Sequence, residues 1–347
     1  MSISRATYLM ILLISIVFIL IIGKDLFIPL VLACLIWFLV KDIRKTIQRI
    51  PFIGKRMPRW LLNLLAVGFL YAVLGGIVSL LSANIEELQD PDNVTKYKEN
   101  LTSFNALIYD QFGFDIQEMW NDNAAESIDF ELIIEEFVNS LSSFLGNVFM
   151  IALYLLFLLL EESAFGSKII SISGSKERQK EIRDTLNRID TSISKYITLK
   201  TLVSLMAGGL SFIVFKSVGL DAAIFWAFLI SLLNFIPIVG ALIGTLIPAT
   251  MALLQFPDPT QAIIILLTVG TIQMIIGNII EPKIMGNSLN VSSLVVILAL
   301  SFWGTIWGIT GMVLSVIITV ILVILLGQFE STKKVAILLS DKGKLDN

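Results

Sequence analysis

The chain has 347 residues, of which 56% are hydrophobic and only 15% charged. With a mean hydropathy of +0.86 and a net charge of −3, that composition excludes an ordinary soluble domain. It contains no histidine and no Gly-x-x-x-x-Gly-Lys-Ser/Thr phosphate loop, which excludes His-based proton relays, Ser-His-Asp catalysis, nearly every zinc site and an ATP motor of its own.

The apolar runs are continuous rather than short and alternating, so the expected class is all-α, a polytopic helical membrane protein and not a porin-type barrel. The first two spans are placed at about Ala6–Ile22 and Leu26–Val40, with Gly23-Lys24-Asp25 as a tight hairpin between them. Cys34 lies inside the second run and has no intrachain partner for a disulfide. Residues 41–59 carry Lys41, Arg44, Lys45, Arg49, Lys55, Arg56 and Arg59 against Asp42 alone. A net +6 in so short a loop places it in the cytoplasm by the positive-inside rule.

The third span runs from Trp60 to Leu81. Residues 84–140 then hold fourteen acidic side chains against Lys96 and Lys98 and are expected outside, as an acidic helical insert. Val94, Tyr97, Leu101, Phe104, Ile108 and Phe112 recur at helical spacing and predict a helix ending at Gly113. A second helix is expected from about Asp129, running into a fourth span at about Leu141–Leu160. Within 163–198, Ile182, Leu186, Ile189, Ile193 and Ile197 form one apolar stripe, which predicts an amphipathic helix along the inner membrane face.

From Leu199 to Gln328 charge nearly vanishes, leaving only Lys200, Lys216, Asp221, Asp258, Glu281 and Lys283. A fifth span is expected at about Leu199–Val218 and a further one at about 260–280. Two apolar blocks, 222–254 and 291–327, are too long for one straight span. About eight transmembrane helices are expected, with broken or re-entrant segments near 234–241 and 278–308. Residues 1–330 form a single transporter domain in this reading, followed by a polar cytoplasmic tail, 331–347.

The breaks carry the candidate site. Asn234, Pro237 and Gly240 interrupt the first; Asn278, Pro282 and Gly286 interrupt the second, at spacings that differ by one residue. Proline frees the carbonyl one turn before it, and backbone freed at membrane depth must face protein or a watery cavity. Broken segments in corresponding places point to a transporter's binding site. Glu281 and Lys283 flank Pro282 and are either pathway residues or interfacial anchors. A desolvated carboxylate there would be able to bind protons or sodium. Gln273, two helical turns before Glu281, falls on roughly its face. Gly240-x-x-x-Gly244 and Gly304-x-x-x-Gly308 are helix-packing signals.

Three motifs in order, Asn-x-Ile-Pro-x-x-Gly at 234–240, Gly-Asn-x-x-x-Pro-x-x-Met-Gly at 277–286 and Phe-Trp-Gly-x-x-Trp-Gly-x-x-Gly-Met at 302–312, closely resemble the autoinducer-2 exporter family of bacterial membrane proteins. Arg188-Ile189-Asp190 with Tyr196 also looks like that family. The chain departs from it at Ser293 and Ile317, where many relatives have proline. The resemblance implies about eight transmembrane helices, homo-oligomeric assembly (pentamers are described for relatives) and secondary transport in a bacterial cell membrane. It links the chain to export of autoinducer-2, or to sodium/proton antiport.

Three functions follow as expectations: export of a small polar molecule by alternating access; cation/proton antiport with Glu281 as the coupling carboxylate; and a non-transporting membrane scaffold. No enzyme activity, cofactor, metal or nucleic acid is expected. The expected partners are the lipid bilayer, a small polar solute, and sodium or protons.

Overall fold

In the computed structural model, which describes residues 3–48, 57–113, 148–172, 174–285, 290–341 and 343, the described residues are helical and contain no strand. The helices are α1 (Ile3–Ile22), α2 (Lys24–Gln48), α3 (Arg59–Gln89), α4 (Pro91–Phe112), α5 (Val148–Ile172), α6 (Lys176–Val218), α7 (Ala223–Leu233), α8 (Val239–Gln255), α9 (Thr260–Ile275), a π-turn (Ile276–Ile280), α10 (Glu281–Met285), α11 (Ser293–Gly327) and α12 (Lys333–Leu339). Lys24–Gln48, Trp60–Ile77, Lys176–Val218, Thr260–Met285 and Ser293–Gly327 are long and apolar enough to cross a bilayer, and shorter apolar helices accompany them. The all-α membrane class is therefore what the chain adopts. Much of the segment expected outside, residues 114–147 with the expected second helix, lies outside the described residues.

Two compact units emerge, one of residues 1–67, 145–197 and 287–347, the other of 68–144 and 198–286. In the first unit, Gly23 joins α1 to α2, its N–H on Ile19 O at 2.8 Å. The expected hairpin at Gly23-Lys24-Asp25 is a one-residue junction, with Lys24 and Asp25 already in α2; a Cβ at Gly23 would come 2.7 Å from the Phe27 ring and 2.9 Å from Ile19 O, so glycine fits that junction. The polar end of α2 is helical through Gln48 rather than looped, and it carries a charge network. Lys41 Nζ donates to Asp190 Oδ1 of α6 at 2.6 Å, and Arg44 grips both oxygens of Glu162 of α5 at 2.5 and 2.9 Å while also donating to Asn63 of α3. Burial pushes the Glu162 carboxyl up, but the Arg44 hydrogen bond and the charges of Arg44 and Lys41 outweigh it and hold the group below its usual range.

α11 is not one straight rod. Gly308 has φ 61 and ψ −142, a backbone conformation open to glycine and few other residues. The chain reverses there: a Cβ on Gly311 would meet the Trp303 carbonyl oxygen at 1.9 Å, and one on Gly304 would touch Met312. At the open end, Ser292 N–H donates to Leu339 O at 3.0 Å. A straight 35-residue helix would be about 52 Å long, too long for α12 to return to its start. Residues 293–307 and 309–327 thus form a helical hairpin with Gly308 at its turn. Trp303, Ile306, Trp307 and Leu314 are its core against α1 and α2, with Trp307 Nε1 donating to Leu20 O at 3.0 Å.

In the second unit the block 222–254 also folds back. α7 and α8 are only 11 and 17 residues long, about 16 and 26 Å, short of the roughly 30 Å hydrocarbon core. They pack side by side: a Cβ on Gly240 would meet Leu233 O at 1.8 Å, and one on Gly244 would lie 3.2 Å from Ile230. α6 approaches this hairpin at Gly208, where a Cβ would clash with Ser231 and with Ala227 O. At the hairpin's open end Gln255 and Asp221 are hydrogen-bonded, with Tyr97 and Asn100 of α4 reaching in. α4 begins at an Asp90 cap and ends at left-handed Gly113, as its spacing predicts.

The amphipathic stretch before the fifth span is a correction. It is not a helix of its own that ends before the span. α6 runs unbroken for 43 residues, about 64 Å, so its polar half continues directly into the span. The stripe explains why: Ile193, Tyr196, Ile197, Lys200, Val203, Ser204 and Ala207 are all buried, at three- and four-residue steps that keep one face inward.

Candidate functional site

A cavity of about 530 Å³ lies in the second unit, between α6, the tip of the α7–α8 hairpin and the stretch from α9 to α10. That volume suits a small ligand. Asn234, Pro237, Gln273, Asn278 and Glu281, five of the residues singled out by the sequence, line it. Others do not. Gly240 is buried where it packs on Leu233, Pro282 and Lys283 are exposed and outside the lining, and Gly286 lies outside the described residues. Of the packing glycines, Gly244 and Gly304 make close contacts, whereas Gly308 serves the turn: nothing lies within 4 Å of a Cβ placed there.

The two broken places are built differently. At 234–238 the chain leaves α7, turns and enters α8. Asn234, 6% exposed, points its Nδ2 at Ser204 Oγ of α6, 3.0 Å away, which anchors the tip to its neighbour. At 276–280 the helix does not break but widens into a π-turn continuous with α9 and α10. The widening has a geometric effect. Over eight residues an α-helix overshoots two turns by about 80°, and the wider π-turn absorbs the excess. Gln273 and Glu281 therefore face one cavity. The Asn278 side chain is spent on its own helix, donating to Met274 O at 3.0 Å.

Glu281 is not alone. Lys200 Nζ donates to Glu281 Oε1 at 2.5 Å, with the lysine side chain 3% exposed and the glutamate 22%. An ammonium removed from water demands a counter-charge, and Glu281 supplies it across 81 positions of sequence. In the sequence Lys200 stands among the few charges of the apolar stretch, with nothing local to tie it to the site. The signal that points to it is a charge inside a predicted span, which is costly at membrane depth. On the cavity wall, Gln273 is 5% exposed and its Nε2 has no hydrogen-bond partner. Thr245 also lines the wall, its hydroxyl donating to Ala241 O. Among the described residues, no group of three or more Cys, Asp or Glu side chains is placed to hold a metal ion.

Comparison with known proteins adds the lineage. The chain is 27% identical over 328 residues to the "AI-2 transport protein TqsA" of Escherichia coli K12, covering 93% of this chain and 91% of that protein. It is 30% identical to a Haemophilus influenzae protein named "Putative transport protein", covering 92% of this chain and 91% of that one. The relatives are named as transport proteins, not enzymes. The model of the AI-2E family transporters matches residues 9–331, and the chain belongs to that family.

Proposed function

We propose that this transporter exports a small polar solute across a bacterial cell membrane by alternating access, with the cavity at the tip of the α7–α8 hairpin as its binding site. The observation that carries this reading is the Lys200–Glu281 pair. A buried ion pair is a poor way to gain stability, whereas at membrane depth ionisable residues mark solute pathways. The unpartnered Gln273 amide on the same wall supports the same use. The name of the Escherichia coli relative makes autoinducer-2 the first solute to test.

With the basic stretch 41–59 placed inside, α1, α2, α3, α5, α6 and Thr260–Met285 give six crossings. Each hairpin returns to the side it enters from, which keeps both termini cytoplasmic. Homo-oligomeric assembly, as the family resemblance implies, fits the broad apolar surface of α1, where Tyr8, Met10, Leu13, Ile14 and Phe18 all point outward.

A second reading is sodium/proton antiport with Glu281 as the coupling carboxylate, held by Lys200 in the resting pair. Reconstituted protein tests both readings. Proteoliposomes loaded with autoinducer-2 should release it faster than empty-vector controls. Under the second reading Glu281→Gln abolishes sodium-driven proton flux and spares uncoupled solute release. Unchanged sodium and proton fluxes in that variant would remove Glu281 from coupling, and no flux of any solute would end the export reading.

A further inference from the structure

The cavity wall offers both signs of charge and both kinds of hydrogen-bonding group. The Lys200 ammonium has three donors, with one on Glu281 Oε1. Among the described residues, Asn234 and Asn278 bond through Nδ2 and Glu281 through Oε1, which leaves Asn234 Oδ1, Asn278 Oδ1 and Glu281 Oε2 as unused acceptors. Lys200 and Glu281 are the only ionisable side chains in the lining, and they stand side by side. Much of the remaining wall is apolar, formed by Ile236, Ile238, Leu242 and Leu246 of the hairpin with Leu266 and Met274 of α9. A singly charged solute that takes one member of the pair strands the other, and an uncompensated buried charge is costly. An uncharged solute leaves the pair closed and gains no opposite charge of its own to set against it. A solute that carries both charges strands neither, and each of its contacts is a charge-assisted hydrogen bond, about twice as strong as a neutral one.

Resting on the reading of this cavity as the solute site, we infer that its solute is a small zwitterion of the α-amino-acid type with an apolar side chain. Its carboxylate sits on Lys200 Nζ, its ammonium on Glu281 Oε2, and its side chain lies along the apolar wall. The spacing of charge supports the class. In an α-amino acid the ammonium nitrogen and the nearer carboxylate oxygen are about 2.7 Å apart, as the bond lengths require. Lys200 Nζ and Glu281 Oε1 are 2.5 Å apart. The two dipoles therefore lie antiparallel, each charge against its opposite, without the protein's own pair separating. A zwitterion whose charges are several carbons apart does not match both partners at once. The site is neutral when empty and neutral when loaded, so binding takes up no proton and releases none.

The test titrates purified full-length protein with leucine, using calorimetry in buffers of different ionisation enthalpy to count protons. Each control removes one feature. Isocaproate lacks the ammonium, leucinol lacks the carboxylate, isocaproamide lacks both charges, δ-aminovalerate has its charges far apart, and glycine lacks the side chain. Leucine should bind with no net proton exchanged, and each control should bind about tenfold more weakly or worse. Lys200→Gln combined with Glu281→Gln removes both charges together and leaves neither stranded in the interior. That variant should lose leucine binding while its weak binding of isocaproamide stays as in the parent protein, a pattern that a merely misfolded cavity would not give. The proposal is overturned if isocaproamide or either singly charged analogue binds as tightly as leucine. It is also overturned if leucine binding survives the double variant, or if a proton is exchanged for each leucine bound. If leucine does not bind while proteoliposomes still release autoinducer-2, the zwitterion assignment fails and the export reading stands. If leucine binds as expected and no solute crosses the membrane, the ligand class stands and the export reading falls.

Discussion

Val239 N–H donates to the Pro237 carbonyl at 2.6 Å, closing a γ-turn with Ile238 at its apex. Ile238 has φ 65 and ψ −58, the rare and strained form of that turn, on a β-branched residue for which a positive φ is a true outlier. Its side chain is 64% exposed and lines the cavity, so no packing demands an isoleucine there. Strain of this kind costs roughly 1–3 kcal/mol and gathers at functional sites. Ile238→Gly relieves it. The variant should melt at a higher temperature in a thermal scan, by about 1 kcal/mol of added stability after glycine's unfolded-state entropy is subtracted. If the strained tip is part of the transport cycle, its solute flux should fall all the same; a variant equally stable and equally active would show that the turn carries neither strain nor function.

The reversal in α11 rests on close backbone approach. A Cβ on Gly311 would stand 1.9 Å from Trp303 O, and backbone cannot step aside as a side-chain tip can. Gly311→Ala should therefore destabilise by about 2 kcal/mol or more. Gly68→Ala in α3 is the control, since nothing lies within 4 Å of its Cβ; there alanine should stabilise by roughly 0.5–1 kcal/mol through helix propensity. Paired melting curves decide it. Equal effects at the two positions would mean that 293–327 does not double back.

Much of this architecture can be read from the residues. Uninterrupted apolar runs give the class, the Asn–Pro–Gly clusters locate the hairpin tip and the π-turn, and the spacing from Val94 to Phe112 gives α4 with its glycine stop. The rest depends on information that local pattern does not carry. An overlong apolar block fits a kinked span as well as a hairpin, and only the backbone angles of Gly308 and its neighbours' approach decide between them. An amphipathic stripe reads alike on a surface helix and on the polar half of a long transmembrane one, so local pattern does not show that α6 is one helix. Nothing local couples Lys200 to Glu281, and eight residues of ideal α-helix would not align Gln273 with Glu281 without the π-turn.

The Arg44–Glu162 pair gives a pH dependence with a defined sign. The Glu162 carboxyl is held below its ordinary value in the folded chain, so the pair's stabilisation is present above the unfolded value near 4.3. It is lost as pH falls through the lower folded value. Thermal stability should drop on acidification below about pH 4.5, and Glu162→Gln should flatten that part of the profile. With both side chains largely buried (12% and 23% exposed), Arg44→Ala should cost about 2 kcal/mol at neutral pH. An acid profile identical in Glu162→Gln would show that other carboxylates set it.

Gln255, 3% exposed, holds the open end of the α7–α8 hairpin. Its Oε1 accepts from Asp221 N–H and its Nε2 donates to Gly219 O, both at 2.8 Å, while its own carbonyl accepts from Asn100 Nδ2. The side chain thus satisfies two backbone groups at the α6–α7 corner, where Gly219 and Ala222 both adopt positive φ and ordinary helical bonding cannot reach. Gln255→Leu keeps the volume but strands both groups, at roughly 1–3 kcal/mol each. Asn100→Ala strands no backbone donor, because the carbonyls of Leu254 and Gln255 that it caps lose a side-chain amide and nothing else, and should cost about 1 kcal/mol. Melting temperatures in that order, with Gln255→Leu well below Asn100→Ala, are the expected result. Amide exchange should rise at Asp221 in Gln255→Leu, whose N–H has lost its acceptor, and stay unchanged there in Asn100→Ala; the reverse pattern would place the corner's support on α4 instead.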